Sequence, residues 1–387
     1  YGPKAETGFD ALIAKDQQEF KIGDITLTVL HTPGHTMEST TYLLRDSSNK
    51  DVAIFSGDTL FLGDVGRPDL AQKSGNITQD DLAGILFESL RTKIMPLADD
   101  VLVYPAHGSG SACGKNLSKE TVGTLGEQKK TNYALRADMT KKEFIREVTD
   151  GLLPPPQYFP LNVKMNKDGY KDIDKVLKTG TTALDPDSFE KLANQNRAII
   201  LDVRHQDDFA KEHIPQSIFI GLDGGFAPWA GTMIGDITLP ILLITPNGRE
   251  EETVTRLARV GFDNTLGYLK GGLKAWKKDK RVTDSINCIG AKKFFELDKN
   301  VGLDVFDLRK QAEYTSEHIP FSQNIPLDAI NQNMNLLPKV SPFYIHCAGG
   351  YRSMIAASIL KSRGIHNFID VKGGLGAIKK TGIALIN

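Results

Sequence analysis

Cysteine is scarce in this chain: three residues among 387, Cys113, Cys288 and Cys347, odd in number and far apart. That excludes a disulfide framework, fits free thiols in a reducing compartment, and makes a cytoplasmic location the expectation. No apolar run approaches the length of a bilayer span, which removes a membrane-helix reading. Charge of one sign is also missing: 47 basic residues offset 48 acidic ones for a formal net charge of -1, with no lysine or arginine stripe, so no nucleic-acid partner is expected. The first residue is Tyr1 rather than Met and no signal peptide is recognisable, so the natural start is expected to lie upstream. What remains, 40% hydrophobic and 25% charged, is the composition of a globular protein of two or three domains.

Among the three cysteines, Cys347 has the most informative surroundings. The apolar segment Tyr344-Ile345-His346 runs into Cys347-Ala348-Gly349-Gly350-Tyr351-Arg352, and a helical stretch, Met354 to Leu360, follows. Inward-pointing N–H groups of such a loop, the positive end of the helix and the Arg352 charge would together stabilise a thiolate or an anionic adduct. Cys347 is the candidate nucleophile, and Ala348, Gly349, Gly350, Tyr351 and Arg352 the candidate substrate cradle. Four residues separate Cys347 from Arg352. Phosphatases that use His-Cys carry five, a wider ring suited to a tetrahedral phosphate. The smaller ring suits the terminal sulfur of a cysteine persulfide, and in this the loop resembles rhodanese-type sulfurtransferases. A merely packed cysteine would need neither the glycines nor the arginine beside it.

An internal repeat surrounds that loop. Leu201-Asp202-Val203-Arg204 and His213-Ile214-Pro215 recur as Phe306-Asp307-Leu308-Arg309 and His318-Ile319-Pro320, and Lys270-Gly271-Gly272-Leu273 recurs as Lys372-Gly373-Gly374-Leu375. Continuous apolar runs such as Ala198 to Leu201 and Ile241 to Ile244, set between helical stretches, predict parallel strands buried on both faces. Both copies resemble rhodanese domains, residues 173–280 and 281–387. The first copy has Thr245-Pro246-Asn247-Gly248-Arg249-Glu250-Glu251-Glu252 where the second has the Cys347 loop, and it has no cysteine. Its glutamates suit a helix start but repel an anionic sulfur, so this copy is read as catalytically silent. Asp202, Arg204, His213 and their counterparts are read as fixing loops and strand ends, and Cys288 as packing.

The N-terminal third places ionisable side chains after three predicted strands. His31-Thr32-Pro33-Gly34-His35 follows the alternating Ile25 to Leu30, Gly57-Asp58-Thr59 follows another strand, and Tyr104-Pro105-Ala106-His107 ends a third. Pro33 and Gly34 force a turn that aims His35, and Gly57 lets backbone approach Asp58. Each is a weak signal alone, but the three in this order resemble the metallo-β-lactamase superfamily over residues 1–172. The family's upstream His-x-His-x-Asp-His segment does not occur here, and neither does half of its αββα sandwich. The resemblance therefore implies an N-terminally incomplete domain. The fold class expected for the whole chain is multidomain α/β and α+β: a partial αββα sandwich followed by two rhodanese-like α/β domains with parallel sheets.

Within that superfamily, Gly63-Asp64-Val65-Gly66-Arg67-Pro68-Asp69-Leu70 and Gly108-Ser109-Gly110-Ser111-Ala112-Cys113-Gly114-Lys115 look like persulfide dioxygenases and, more distantly, glyoxalase II. The resemblance implies one Fe(II) held by His35 and Asp58, a third histidine absent from this chain, and His107 in a supporting position. O2 is the implied co-substrate. Arg67 is read as holding the carboxylate or phosphate of a thiol carrier, or else as a structural salt bridge, and Cys113 as packing, lining the pocket or sensing oxidation. The proline-rich Leu152 to Asn162 is read as too stiff for a helix, linking domains and bordering a cleft. The implied function is a persulfide dioxygenase fused to a sulfurtransferase, taking low-molecular-weight thiol persulfides, sulfite and thiosulfate. The alternatives are a glyoxalase II-like hydrolase with rhodanese partners, and a non-catalytic persulfide-binding or sensing scaffold. A homo-oligomer is expected.

Overall fold

The computed structural model describes residues 1–387 except 71–76, 110, 112, 116, 153–157 and 299–301. It forms two compact units, Tyr1–Tyr170 and Lys171–Asn387.

The first unit is built on one six-stranded sheet of order β1 to β6: β1 (Glu19–Ile22), β2 (Ile25–His31), β3 (Thr40–Arg45), β4 (Asp51–Gly57), β5 (Leu102–Pro105) and β6 (Gly123–Thr124). The pairings are antiparallel except β4 with β5, which run parallel and place Gly57 opposite Pro105. The loops after these two strands therefore emerge at the same edge. Helices that open on Thr78, Thr124 and Thr140 each carry a reciprocal capping box, with Asp81, Glu127 and Glu143 as partners. They cover the sheet with a core that includes Leu30, Ile54, Leu86 and Phe144. A helix, Phe159–Asp168, begins inside the proline-rich stretch read above as non-helical. Pro160 sits at its second position, where the missing N–H has no intrahelical acceptor and the fixed φ suits the first turn. Leu153 to Gln157 lie outside the described residues.

The second unit contains the repeat as two all-parallel five-stranded sheets of the same topology. The first has the order β7-β11-β10-β8-β9 and uses β7 (Ala183–Leu184), β8 (Ile199–Asp202), β9 (Ile218–Phe219), β10 (Ile241–Ile244) and β11 (Thr265–Leu269). The second has β12-β16-β15-β13-β14 and uses β12 (Cys288–Gly290), β13 (Val305–Asp307), β14 (Ser322–Asn324), β15 (Phe343–His346) and β16 (Phe368–Lys372). The central strands β10 and β15 are wholly buried, as helices on both faces of a parallel sheet require. The repeat holds down to single hydrogen bonds. Arg204 forks onto Asp202 and reaches the Glu212 carbonyl, and Arg309 forks onto Asp307 and reaches the Glu317 carbonyl. The rings of His213 and His318 stack on Phe209 and Tyr314 and share a hydrogen bond with the carbonyl of the same residue. No helix of the described residues is long and apolar enough to cross a membrane.

Candidate active sites

The parallel β4–β5 pair brings three of the residues named from the sequence together. Asp58 follows β4 and His107 follows β5, and Ala106 N–H donates to the Gly57 carbonyl at 3.1 Å. Asp58 thus stands between two histidines: His35 Nε2 lies 3.2 Å from one carboxylate oxygen and His107 Nε2 3.5 Å from the other. Burial would raise the Asp58 pKa, but the hydrogen bonds from His107 and His35 outweigh it and hold the carboxyl well below its usual range. Hydrogen bonds to Asp58 and Cys113 push His107 up to about 10. The turn carrying His35 is fixed from below. Gly34 has φ +140° with the backbone of Leu86 so close that a Cβ there would meet it at 2.5 Å, and Ser89 Oγ donates to the Pro33 carbonyl at 2.7 Å.

His35 Nδ1 lies 2.9 Å from the Arg67 carbonyl, which turns Nε2 toward the centre of the cluster. A Cβ on Gly66 would meet the Asp58 carbonyl at 1.9 Å, so the glycine allows this loop to close over the site. Cys113, which the sequence reading favoured as packing, enters the cluster: one donor atom each from His35, Asp58 and Cys113 lie within 4.8 Å of one another. Its position in the loop after His107 was the available signal. Imidazole, carboxylate and thiol converging on one point suit a divalent first-row metal, so these residues fit the metal that the fold implies. Arg67 is buried, with its guanidinium forked onto Asp69 at 2.6 and 2.7 Å. This is the structural salt bridge that was one of the two roles read for it. His31 is spent on the Met37 carbonyl, 2.9 Å away.

In the second unit, Cys347 directly follows β15 and is buried at the start of the loop it opens. Gly350 N–H donates to Sγ at 3.2 Å, and Sγ lies 3.6 Å from Ser353 Oγ. Gly350, at φ +99°, caps the helix Tyr351–Ser362. The Lys-Gly-Gly-Leu landmark acts on this loop from behind: Leu375 and Gly376 N–H groups donate to the carbonyls of Cys347 and Ala348 at 2.7 and 3.0 Å. Arg352 forks onto Glu313 at 2.6 and 2.8 Å, a partner that no sequence pattern announced. That hydrogen-bonded pairing lowers Glu313 to about 2. The Tyr351 side chain is committed to the preceding repeat, where its hydroxyl donates to the Gly221 carbonyl at 2.6 Å and its ring lies over Gly224. Cys288 is half-buried, and burial, then the nearby Asp370, pushes its thiol up to about 12.

The first copy has a different occupant. At the end of β10, Thr245 takes the place of Cys347, and Glu250 accepts from Thr245 Oγ1 at 3.3 Å and from Gly248 N–H at 3.2 Å. A fixed carboxylate thus engages the same turn of backbone that, in the second copy, faces the sulfur.

A metallo-β-lactamase-type unit followed by two parallel α/β repeats is the class that this architecture defines, and comparison with known proteins agrees with it. A rhodanese-like domain model matches residues 185–279 and 291–381. A crystal structure of a metallo-β-lactamase from Staphylococcus aureus subsp. aureus COL superposes with a TM-score of 0.58 at 30% identity, covering 67% of this chain and 71% of that one. The chain belongs to the metallo-β-lactamase fold family and carries two rhodanese-like domains in its C-terminal part. More particularly, its N-terminal part has persulfide dioxygenase homologues. The human mitochondrial persulfide dioxygenase is 30% identical over 152 residues, 39% of this chain and 51% of that protein. Glyoxylase B2 of Dictyostelium discoideum is 31% identical over 166 residues, 42% of this chain and 51% of that protein. The chain spans about half the length of these curated relatives.

Proposed function

We propose that this chain is a persulfide dioxygenase fused to a sulfurtransferase. Its first unit oxidises the outer sulfur of a small-thiol persulfide to sulfite, and Cys347 then carries a sulfane sulfur to that sulfite to form thiosulfate. The observation that carries the reading is the Cys347 cradle, a buried sulfur under the Gly350 N–H at the head of a helix, in one chain with the His35–Asp58 cluster. His35 and Asp58 would hold Fe(II), with Cys113 and His107 beside them. When bound, the iron supplies O2 activation. The oxidation takes one dioxygen and one water per persulfide and releases the thiol, sulfite and two protons.

For the transfer, the Cys347 thiolate first attacks the outer sulfur of a second small-thiol persulfide, so that the Cys347 persulfide forms as the old S–S bond breaks and the small thiolate leaves. Sulfite attacks the outer sulfur of the Cys347 persulfide, a new S–S bond forms as the old one breaks, and thiosulfate leaves behind a Cys347 thiolate. Gly350 N–H is placed to hold the negative charge in both states, and Arg352 is the cation nearest the incoming anion. Similarity to the Dictyostelium glyoxylase supports a second reading of the first unit, a metal-dependent hydrolase.

Oxygen uptake separates the two. Iron-loaded protein given a low-molecular-weight persulfide is expected to consume O2 and release thiosulfate, and Cys347→Ser is expected to consume O2 but accumulate sulfite. Absence of uptake with intact thioester hydrolysis would favour the hydrolase, and a Cys347→Ser protein that still made thiosulfate would remove Cys347 from the transfer.

A further inference from the structure

A cleft of about 1280 Å³ runs along one flank of the Cys347 loop and touches it at Gly349 and Gly350. That size suits a whole small molecule rather than sulfite or thiosulfate alone. Both repeats contribute walls: the helix Gln206–Lys211 of the first, the connecting segment 284–288, and parts of the second around Lys361 and β16. Hydrogen bonds hold these walls in place. Ile286 N–H donates to the Ala210 carbonyl at 2.8 Å, and Asp370 N–H to the Asn287 carbonyl at 2.9 Å. Lys361 is spent on Asp284 and on the Ser285 carbonyl, 2.7 Å away.

Two features of the lining point to a ligand. The first is Asp370, on β16 beside its β12 register partner Cys288: the residue is 1% exposed and its Oδ1 has no hydrogen-bond partner. An open acceptor is costly in a buried place, and one that lines a cleft can be completed by a donor from outside. The second is the balance of charge. With Lys361 cancelled by Asp284, what remains is Lys211 and Lys372, which make no ion pair among the described residues, set against Asp207 and Asp370. Asp207 lies 3.6 Å from His205. Burial pushes the Cys288 thiol up to about 12, so it lines the cleft uncharged. A lining of mixed sign does not select a simple anion, because the carboxylates oppose what the lysines attract; it suits a molecule that carries both signs.

We propose that this cleft holds the body of the sulfur donor, and that the donor is a zwitterionic small thiol. Its ammonium donates to Asp370 Oδ1, and its carboxylate is held by Lys211 and Lys372. Hydrogen bonds between charged partners are the strong ones, so Asp370 selects for the ammonium. The persulfide end then passes over Gly349, where a Cβ would meet nothing within 4 Å, toward the Gly350 N–H that donates to Cys347 Sγ. Thiosulfate has no ammonium and gains nothing from Asp370.

The inference rests on Cys347 as the sulfur carrier, but its test reads binding and not turnover. S-methylglutathione is a zwitterionic thioether that cannot transfer sulfur, and its N-acetyl derivative lacks the ammonium. Each is titrated into the full chain while amide hydrogen exchange is followed by peptide mass spectrometry. S-methylglutathione is expected to protect residues 206–211, 284–288 and 366–373, with a midpoint about tenfold lower than that of the N-acetyl derivative. Asp370→Asn is expected to bring the two midpoints together, and Lys211→Glu to raise both. Absence of protection at these segments, or protection confined to the first unit, overturns the cleft as a donor site. Equal midpoints in wild type, or a preference for the ammonium that survives in Asp370→Asn, overturn the assignment to Asp370. Failure of the Cys347 transfer role would appear separately, as thiosulfate-to-cyanide turnover surviving in Cys347→Ser.

Discussion

Arg352 and Glu313 show how one unanticipated partner changes the meaning of a motif residue. From the sequence, Arg352 reads as an open cation waiting for an anion. In the structure its guanidinium is forked by a carboxylate 39 positions away in the chain, so a substrate anion approaches a nearly neutral pair. Glu313→Gln is therefore expected to lower the KM for thiosulfate several-fold while leaving the Cys347 cradle in place, as measured by steady-state transfer to cyanide. The same pair predicts a pH signature. Glu313 falls to about 2 in the folded chain, chiefly through the Arg352 hydrogen bonds, below an unfolded value of about 4.3. Its stabilising contribution is thus complete above the unfolded pKa and is lost as pH falls through the folded one. The difference in Tm between wild type and Glu313→Gln should be constant above about pH 5 and close toward pH 2. A difference that persisted at pH 2 would assign the effect to packing.

The two Gly-Gly elements make a matched pair for testing how the repeat diverged. Gly272 and Gly374 both adopt left-handed backbone, at φ +56° and +53°. A Cβ on Gly272 would enter open space, whereas on Gly374 it would stand 2.3 Å from the Cys347 carbonyl. Gly272→Ala is expected to cost about 1 kcal/mol, from strain alone. Gly374→Ala should cost about 3 kcal/mol or more and depress sulfur transfer, because the Cys347 loop must move. Denaturant melts with parallel assays check both; equal costs would mean the second element does not brace the loop. Elements of this kind were legible because they rest on local pattern: the recurring Asp-x-Arg, His-Ile-Pro and Gly-Gly segments and the apolar strands between them. The Arg352–Glu313 pair and the Tyr351–Gly221 bond were not legible, because each joins residues far apart in sequence and depends on which strands become neighbours. Pro160 misled for the opposite reason. Composition alone cannot tell a helix interior from its first turn.

At the scale of the whole chain, the helix behind Cys347 explains why a repeat without a cysteine is present. An ordinary surface helix shows one apolar stripe, yet every residue from Ser353 to Leu360 is buried. One side of Tyr351–Ser362 covers its own sheet, and the preceding repeat meets it elsewhere: Phe219 N–H donates to Ser358 Oγ at 3.0 Å, and Tyr351 reaches Gly221. The named partners of the Cys347 loop and its helix, Glu313, Gly221 and Phe219, belong to the unit Lys171–Asn387. Residues 171–387 expressed alone are therefore expected to keep wild-type transfer from thiosulfate to cyanide, with oxygen uptake lost. Residues 281–387 alone would expose the outer face of that helix, leave the Tyr351 hydroxyl without its acceptor, and bring apolar surface into contact with water. This shorter piece is expected to aggregate or to lose most of its activity, read by gel filtration and the same assay. Full activity in a monomeric 281–387 would show that the first repeat does not support the loop, and its retention would then need a different cause.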